Sequence, residues 1–118
     1  MPNIYGAPEI SVQDLSTKLT AGDAAILLDV RELHELQRAS MGNSAVVVPL
    51  SQLAAQQIAA LPAHAQDKDT EIMVLCHHGV RSAQVTAWLL QQGWANVHSV
   101  AGGIDAYAKE IDAAVGMY

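Results

Sequence analysis

Short runs of apolar residues recur along this chain, separated by stretches in which apolar positions fall three or four apart. The run Ile72 to Leu75 is wholly apolar and reads as a buried strand. Ala24 to Val30 is a second such run, and it stops abruptly at Arg31, the pattern of a central strand. Shorter strands are expected at Glu9 to Val12, Val46 to Val48 (ended by Pro49) and Val97 to Val100. Between them the period lengthens. Leu15 and Leu19 lie four apart in a helix that Ser11 caps, with Asp14 three residues on. Arg31 to Arg38 reads as a short helix with Leu33 and Leu36 facing inward. Ser51 is expected to cap an Ala- and Gln-rich helix running to about Leu61. Val85, Trp88 and Leu89 mark a further helix, with Ser82 as its expected N-cap and Gly93 as its stop. Gly102-Gly103 turns the chain into a last helix from Ile104 to about Ile111. Residues 1–8, with two Pro and one Gly, are expected to be a loose lead-in. Residues 20–23 read as a turn and 62–70 as a solvated connection. Strands alternating with helices imply an α/β fold: a three-layer α/β/α domain over residues 9–118, with a mostly parallel sheet of about five strands.

Composition narrows the function classes. A chain of 118 residues is long enough to bury one core, and with no Phe that core is built from Ala, Val, Leu and Ile. Six Lys and Arg against twelve Asp and Glu leave a formal charge of −6, which supplies no basic surface for nucleic acid. No apolar stretch approaches the length of a membrane span, and no membrane partner is expected. The first residues show neither the basic nor the apolar region of a secretion signal. A single cysteine makes no internal disulfide, and a reducing cytoplasm is the expected setting.

That cysteine is the chemical focus. Cys76 ends the central apolar run and opens the loop Cys76-His77-His78-Gly79-Val80-Arg81-Ser82 at the entrance to a helix. Free N–H groups and the positive end of the helix dipole favour a thiolate there, and Arg81 adds a fixed positive charge. A cysteine after a strand is more often a small buried hydrophobe, but a silent core cysteine does not need two His, a Gly and an Arg beside it. Consecutive residues in a tight loop converge poorly on one ion, so no metal is expected at Cys76, His77 and His78. His34, His64 and His98 stand alone, and Trp88 and Trp94 read as packing residues. Asp29 and Arg31 flank Val30 at a strand end, where an ion pair or loop bracing is expected. The Gly102-Gly103 pair lacks the spacing of a nucleotide fingerprint and reads as a turn.

The loop resembles the active-site loop of the rhodanese (sulfurtransferase) family. Leu28-Asp29-Val30-Arg31-Glu32 with Glu35, Val48-Pro49-Leu50 and Ala101-Gly102-Gly103-Ile104-Asp105-Ala106-Tyr107 agree with it in order. The loop and terminal blocks look most like rhodanese domains of enzymes that activate sulfur-carrier proteins. Residues 39–44 depart from the pattern: the usual Gly-His-Ile turn is absent and its His is missing. The resemblance implies a rhodanese-like fold and a sulfurtransferase that moves sulfane sulfur through a persulfide on Cys76. In that picture His77, His78, Gly79, Val80, Arg81 and Ser82 bind substrate, while Asp29 and Arg31 brace the site. It implies no cofactor beyond the covalent persulfide, a small-molecule donor such as thiosulfate, a thiol or sulfur-carrier protein as acceptor, and a monomer. Four residues separate Cys76 from Arg81, one fewer than in the cradles of cysteine phosphatases and arsenate reductases. The shorter loop fits a sulfur atom rather than a phosphoryl group. The alternatives are a non-catalytic rhodanese-like binding or regulatory module and, more distantly, an oxyanion enzyme of the phosphatase or arsenate reductase type.

Overall fold

A computed structural model of the protein describes residues 5–22 and 24–118. The first four residues of the expected lead-in, and Asp23 of the expected 20–23 turn, lie outside the described residues. Five strands, β1 (Glu9–Ile10), β2 (Ile26–Asp29), β3 (Val46–Val47), β4 (Ile72–Leu75) and β5 (Val97–Val100), form one sheet in the order β1-β5-β4-β2-β3. Every pairing is parallel, with Ile26 to Asp29 of β2 opposite Ile72 to Leu75 of β4. Among the described residues α1 (Val12–Ala21), α2 (Leu50–Gln56) and α3 (Val80–Gln91) lie between strands, and α4 (Gly103–Glu110) follows β5. This is the expected α/β architecture.

The sheet explains the apolar runs. Every residue of β2 and β4 is buried, because both faces of the sheet are covered. Successive side chains go to opposite sides. Ile26, Leu28, Ile72 and Val74 meet Leu53 of α2, Val85 and Leu89 of α3, and Trp94. Leu27, Met73, Leu75 and Val100 meet Val12 and Leu15 of α1 and Ile104 and Tyr107 of α4. Part of the lead-in joins the sheet: Ala7 is buried, and the Pro8 carbonyl accepts from Ser99 N–H at 2.9 Å.

Several local expectations hold. Ser11 Oγ accepts from Asp14 N–H at 3.1 Å and caps α1. Gly93, at φ +106°, follows the end of α3, and Trp94 N–H turns back to the Leu89 carbonyl. Others need correction. α2 starts at Leu50 with Pro49 as its N-cap, so Ser51 is not the cap. Instead, the Glu32 carboxylate accepts from the Ser51 N–H and hydroxyl at 3.1 and 2.7 Å. A carboxylate from outside thus satisfies a free N–H of the first turn. α2 also ends early, at Gln56: Gln57 takes φ +55°, and a 3-10 turn carries the chain to Ala60. Residues 33–37 form a 3-10 turn in which Glu35, not Leu33, faces inward; Leu33 is 65% exposed. The 62–70 connection is not wholly solvated, since Ala65 is buried and its carbonyl accepts from Trp94 Nε1 at 3.0 Å.

α3 likewise has Gly79 as its N-cap, whose φ of +101° turns the chain into the helix, so Ser82 is not the cap. The carboxyl ends of the parallel strands therefore carry the loop that follows β4 and the turn that follows β5 side by side. The turn residue Gly103 lies at φ +64°, and a Cβ added there collides with the carbonyl oxygens of Cys76 and His77. Gly103→Ala is expected to cost about 2–4 kcal/mol, combining the left-handed conformation with the clash. Gly22→Ala, at φ +72° in open space, keeps only the conformational part, about 1–2 kcal/mol. Urea unfolding of the two variants side by side checks the difference.

Candidate active site

Cys76 leaves the end of β4 and is buried, 1% exposed. Its sulfur accepts from Gly79 N–H at 3.1 Å and from Ser82 N–H at 3.4 Å. These N–H groups belong to the entry of α3, whose positive end supports negative charge on the sulfur. The Ser82 hydroxyl lies 3.4 Å from the same sulfur and 2.8 Å from the Ser99 hydroxyl of β5. Both serines are fully buried, so the pair forms a buried polar wall beside the sulfur. From below, α4 holds the loop: Ile104 N–H donates to the Cys76 carbonyl at 2.9 Å and Asp105 N–H to the His77 carbonyl at 3.1 Å. The Gly102-Gly103 turn, as expected a turn and not a nucleotide fingerprint, thereby directs helix N–H groups at peptide carbonyls of the loop.

Arg81 is tied down at the rim. Its Nη1 and Nη2 donate to the two oxygens of Glu35 at 2.7 and 2.8 Å, a bidentate clasp. Glu35 also accepts from Glu32 N–H at 2.8 Å and from the Tyr118 hydroxyl at 2.9 Å. Arg31, with no exposed side-chain surface, binds Asp29 at 2.7 Å through Nη2 and donates to the Tyr118 hydroxyl at 3.1 Å through Nη1. Burial penalises the Arg31 charge, but the bonds to Asp29 and Tyr118 outweigh it and hold its pKa above the ordinary value. Burial raises the Tyr118 hydroxyl above its ordinary value, which keeps it a donor to Glu35. The Tyr118 ring stacks flat on His77 (3.7 Å, 6°), and His78 stacks on His77 with centroids 3.8 Å apart.

Of the residues singled out in the sequence, Gly79 and Ser82 contact the sulfur, Arg81 and His77 border the loop, and His78 and Val80 are largely exposed. Asp29 and Arg31 form the expected ion pair. His77, His78 and Asp105 bring possible metal-ligating atoms within 4.8 Å of one another. This grouping replaces Cys76, weighed with the two His in the sequence, by Asp105 from the start of α4. Ser99 and Tyr118 were not legible as site residues, since neither belongs to a motif and both arrive from distant segments.

Comparison with known proteins bears on the fold and family of this chain. Residues 11–110 match the profile of the Rhodanese-like domain. A sulfurtransferase of Allochromatium vinosum is 32% identical over 101 residues, covering 86% of this chain and 88% of that protein. The rhodanese-like/PpiC domain-containing protein 12 of Arabidopsis thaliana, a chloroplastic protein, is 36% identical over 113 residues. That match covers 93% of this chain but spans only 37% of the length of that relative. The crystal structure of a rhodanese-related protein from Thermoplasma volcanium superposes with a TM-score of 0.71 at 32% identity, covering 88% of this chain and 93% of that one. Among the described residues, no helix is long and apolar enough to cross a membrane.

The clasp carries a pH signature. The Arg81 hydrogen bonds hold the Glu35 carboxyl at about 2 instead of an ordinary 4.5, against the opposing effect of burial. A depressed folded-state value means that the stabilisation is complete above about pH 4.5 and is lost as pH falls toward about 2. Glu35→Gln is expected to cost about 1–3 kcal/mol at neutral pH. The gap from wild type should close between pH 4.5 and 2, as followed by urea unfolding across that range.

Proposed function

The chain belongs to the rhodanese-like domain family, and within it we propose that this protein is a sulfurtransferase working through a persulfide on Cys76. The observation that carries this reading is the sulfur of Cys76 seated against the N–H groups of Gly79 and Ser82 at the start of α3. The Cys76 thiolate attacks the outer sulfur of thiosulfate, forming a Cys76 S–S bond and breaking the S–S bond of the donor, and sulfite leaves with the electron pair. The persulfide anion that results carries one negative charge, as the thiolate did. The backbone N–H groups and dipole of α3 stabilise that charge. A nucleophilic acceptor then takes the terminal sulfur and returns Cys76 to a thiolate.

In this proposal Gly79 and Ser82 seat the sulfur, while His77, His78 and Val80 line the mouth. Arg81 offers an anionic donor those N–H bonds that Glu35 does not take, since the clasp engages only Nη1 and Nη2. Asp29 and Arg31 brace the loop. The four-residue gap between Cys76 and Arg81 supports a sulfur atom over a phosphoryl group. No cofactor is needed. The chain has one cysteine, so the sulfur passes to an acceptor outside it, a small thiol or a sulfur-carrier protein. A monomer in a reducing, cytoplasmic compartment completes the proposal.

Intact mass before and after incubation with thiosulfate tests it. Wild type should gain one sulfur atom and lose it to cyanide with thiocyanate formed, whereas Cys76→Ser should stay unchanged. A folded wild type that gains nothing would move the assignment to a binding module. Arg81→Ala is expected to raise the thiosulfate KM by about tenfold, and an unchanged KM in steady-state assays would remove Arg81 from donor binding.

A further inference from the structure

We propose that Tyr118 is a positioning residue for Arg81. Its hydroxyl joins the buried Asp29–Arg31 pair to Glu35, and so fixes the carboxylate that clasps the guanidinium beside the Cys76 loop. The inference deepens the sulfur-transfer reading, in which Arg81 receives the anionic part of the donor.

Tyr118 is held from several directions. Its hydroxyl accepts from Arg31 Nη1 at 3.1 Å and donates to Glu35 Oε1 at 2.9 Å. Its ring lies flat against His77, and its backbone oxygen is 2.7 Å from His77 Nε2. The segment before it is seated as firmly. A 3-10 turn at Ala113–Val115, capped by the Asp112 side chain, leads to the Val115 carbonyl, which accepts from Ser40 N–H at 2.8 Å. Gly116, at φ +97°, passes so close to the Arg38 carbonyl that any Cβ there would collide with it. The atypical residues 39–44 thus help to form the seat on which this segment rests.

The physical argument is one of restraint. Arg31 has no exposed side-chain surface and is bound to Asp29, so it is a fixed anchor. Glu35 and Arg81, at 11% and 30% side-chain exposure, stand nearer solvent and could each turn away from the other. A hydroxyl bonded to both the anchor and Oε1 removes that rotational freedom and presents one arrangement of guanidinium N–H groups to an incoming anion.

Tyr118→Phe isolates the hydroxyl, because the ring stack and backbone bond remain. Cys76 is alkylated in parallel by iodoacetate and iodoacetamide, which differ in charge but little in size. Their rate ratio reports how Arg81 is held near the sulfur without requiring turnover. Tyr118→Phe should lower that ratio by about threefold and raise the thiosulfate KM by a similar factor, with kcat little changed. In an Arg81→Ala background the same change should have no further effect on either quantity. A ratio unchanged by Tyr118→Phe overturns the inference, as does an equal fall with and without Arg81. If wild type takes up no sulfur from thiosulfate while the ratio follows the expected pattern, the sulfur-transfer reading fails and the positioning role stands.

Discussion

A guanidinium without exposed surface sits at the end of β2, and its surroundings organise one side of the candidate site. Arg31 is bound to Asp29 through both Nε and Nη2, and removing either partner would strand a buried charge at a cost of about 3–5 kcal/mol. From that pair the hydrogen bonds run outward. Arg31 reaches Tyr118, Tyr118 reaches Glu35, and Glu35 holds Arg81 in the first turn of α3. The neutral Tyr118 hydroxyl stands between a cation and an anion, so each link has at least one charged partner and is charge-assisted. The rim of the Cys76 loop is thereby fastened to the carboxyl end of β2.

The other side of the loop is fastened by backbone. In a parallel sheet the carboxyl ends of neighbouring strands open on the same edge, and here β4 and β5 deliver the cysteine loop and the Gly102-Gly103 turn to adjacent places. The entry of α3 aims N–H groups at the sulfur. The entry of α4 aims its N–H groups at the carbonyls beneath. Two helix entries therefore act on one loop from different directions, and neither depends on a side chain for its polarity.

Much of this was readable in residues close together in sequence. The apolar runs of β2 and β4 announce strands covered on both faces, and Cys76, Gly79 and Arg81 stand within six residues of chain. What escaped was set by tertiary contact. Ser82 looks like a cap, but Gly79 reaches a left-handed conformation that starts the helix three residues earlier, leaving Ser82 to face the sulfur. Ser51 was displaced as a cap by Glu32, from 19 residues away. Leu33 fits a helical stripe, yet the turn is 3-10 and the buried position belongs to Glu35 because Arg81, 46 residues on, needs its carboxylate. Periodicity records which residues prefer to avoid water. It does not record which distant charge a residue will meet.

The two bonds from α4 to the carbonyls of Cys76 and His77 have a stereochemical consequence. With its oxygen held, the peptide joining these residues cannot swing over, and with Sγ seated against the N–H groups of Gly79 and Ser82 the direction in which the sulfur points is set by the scaffold. Displacement at divalent sulfur proceeds along one line through the entering, central and leaving atoms. In the proposed sulfur transfer, a fixed bearing of Cys76 makes the donor depart along the line by which the acceptor arrives. The two would then occupy the same corridor in turn, and sulfur could pass between them only by way of the protein.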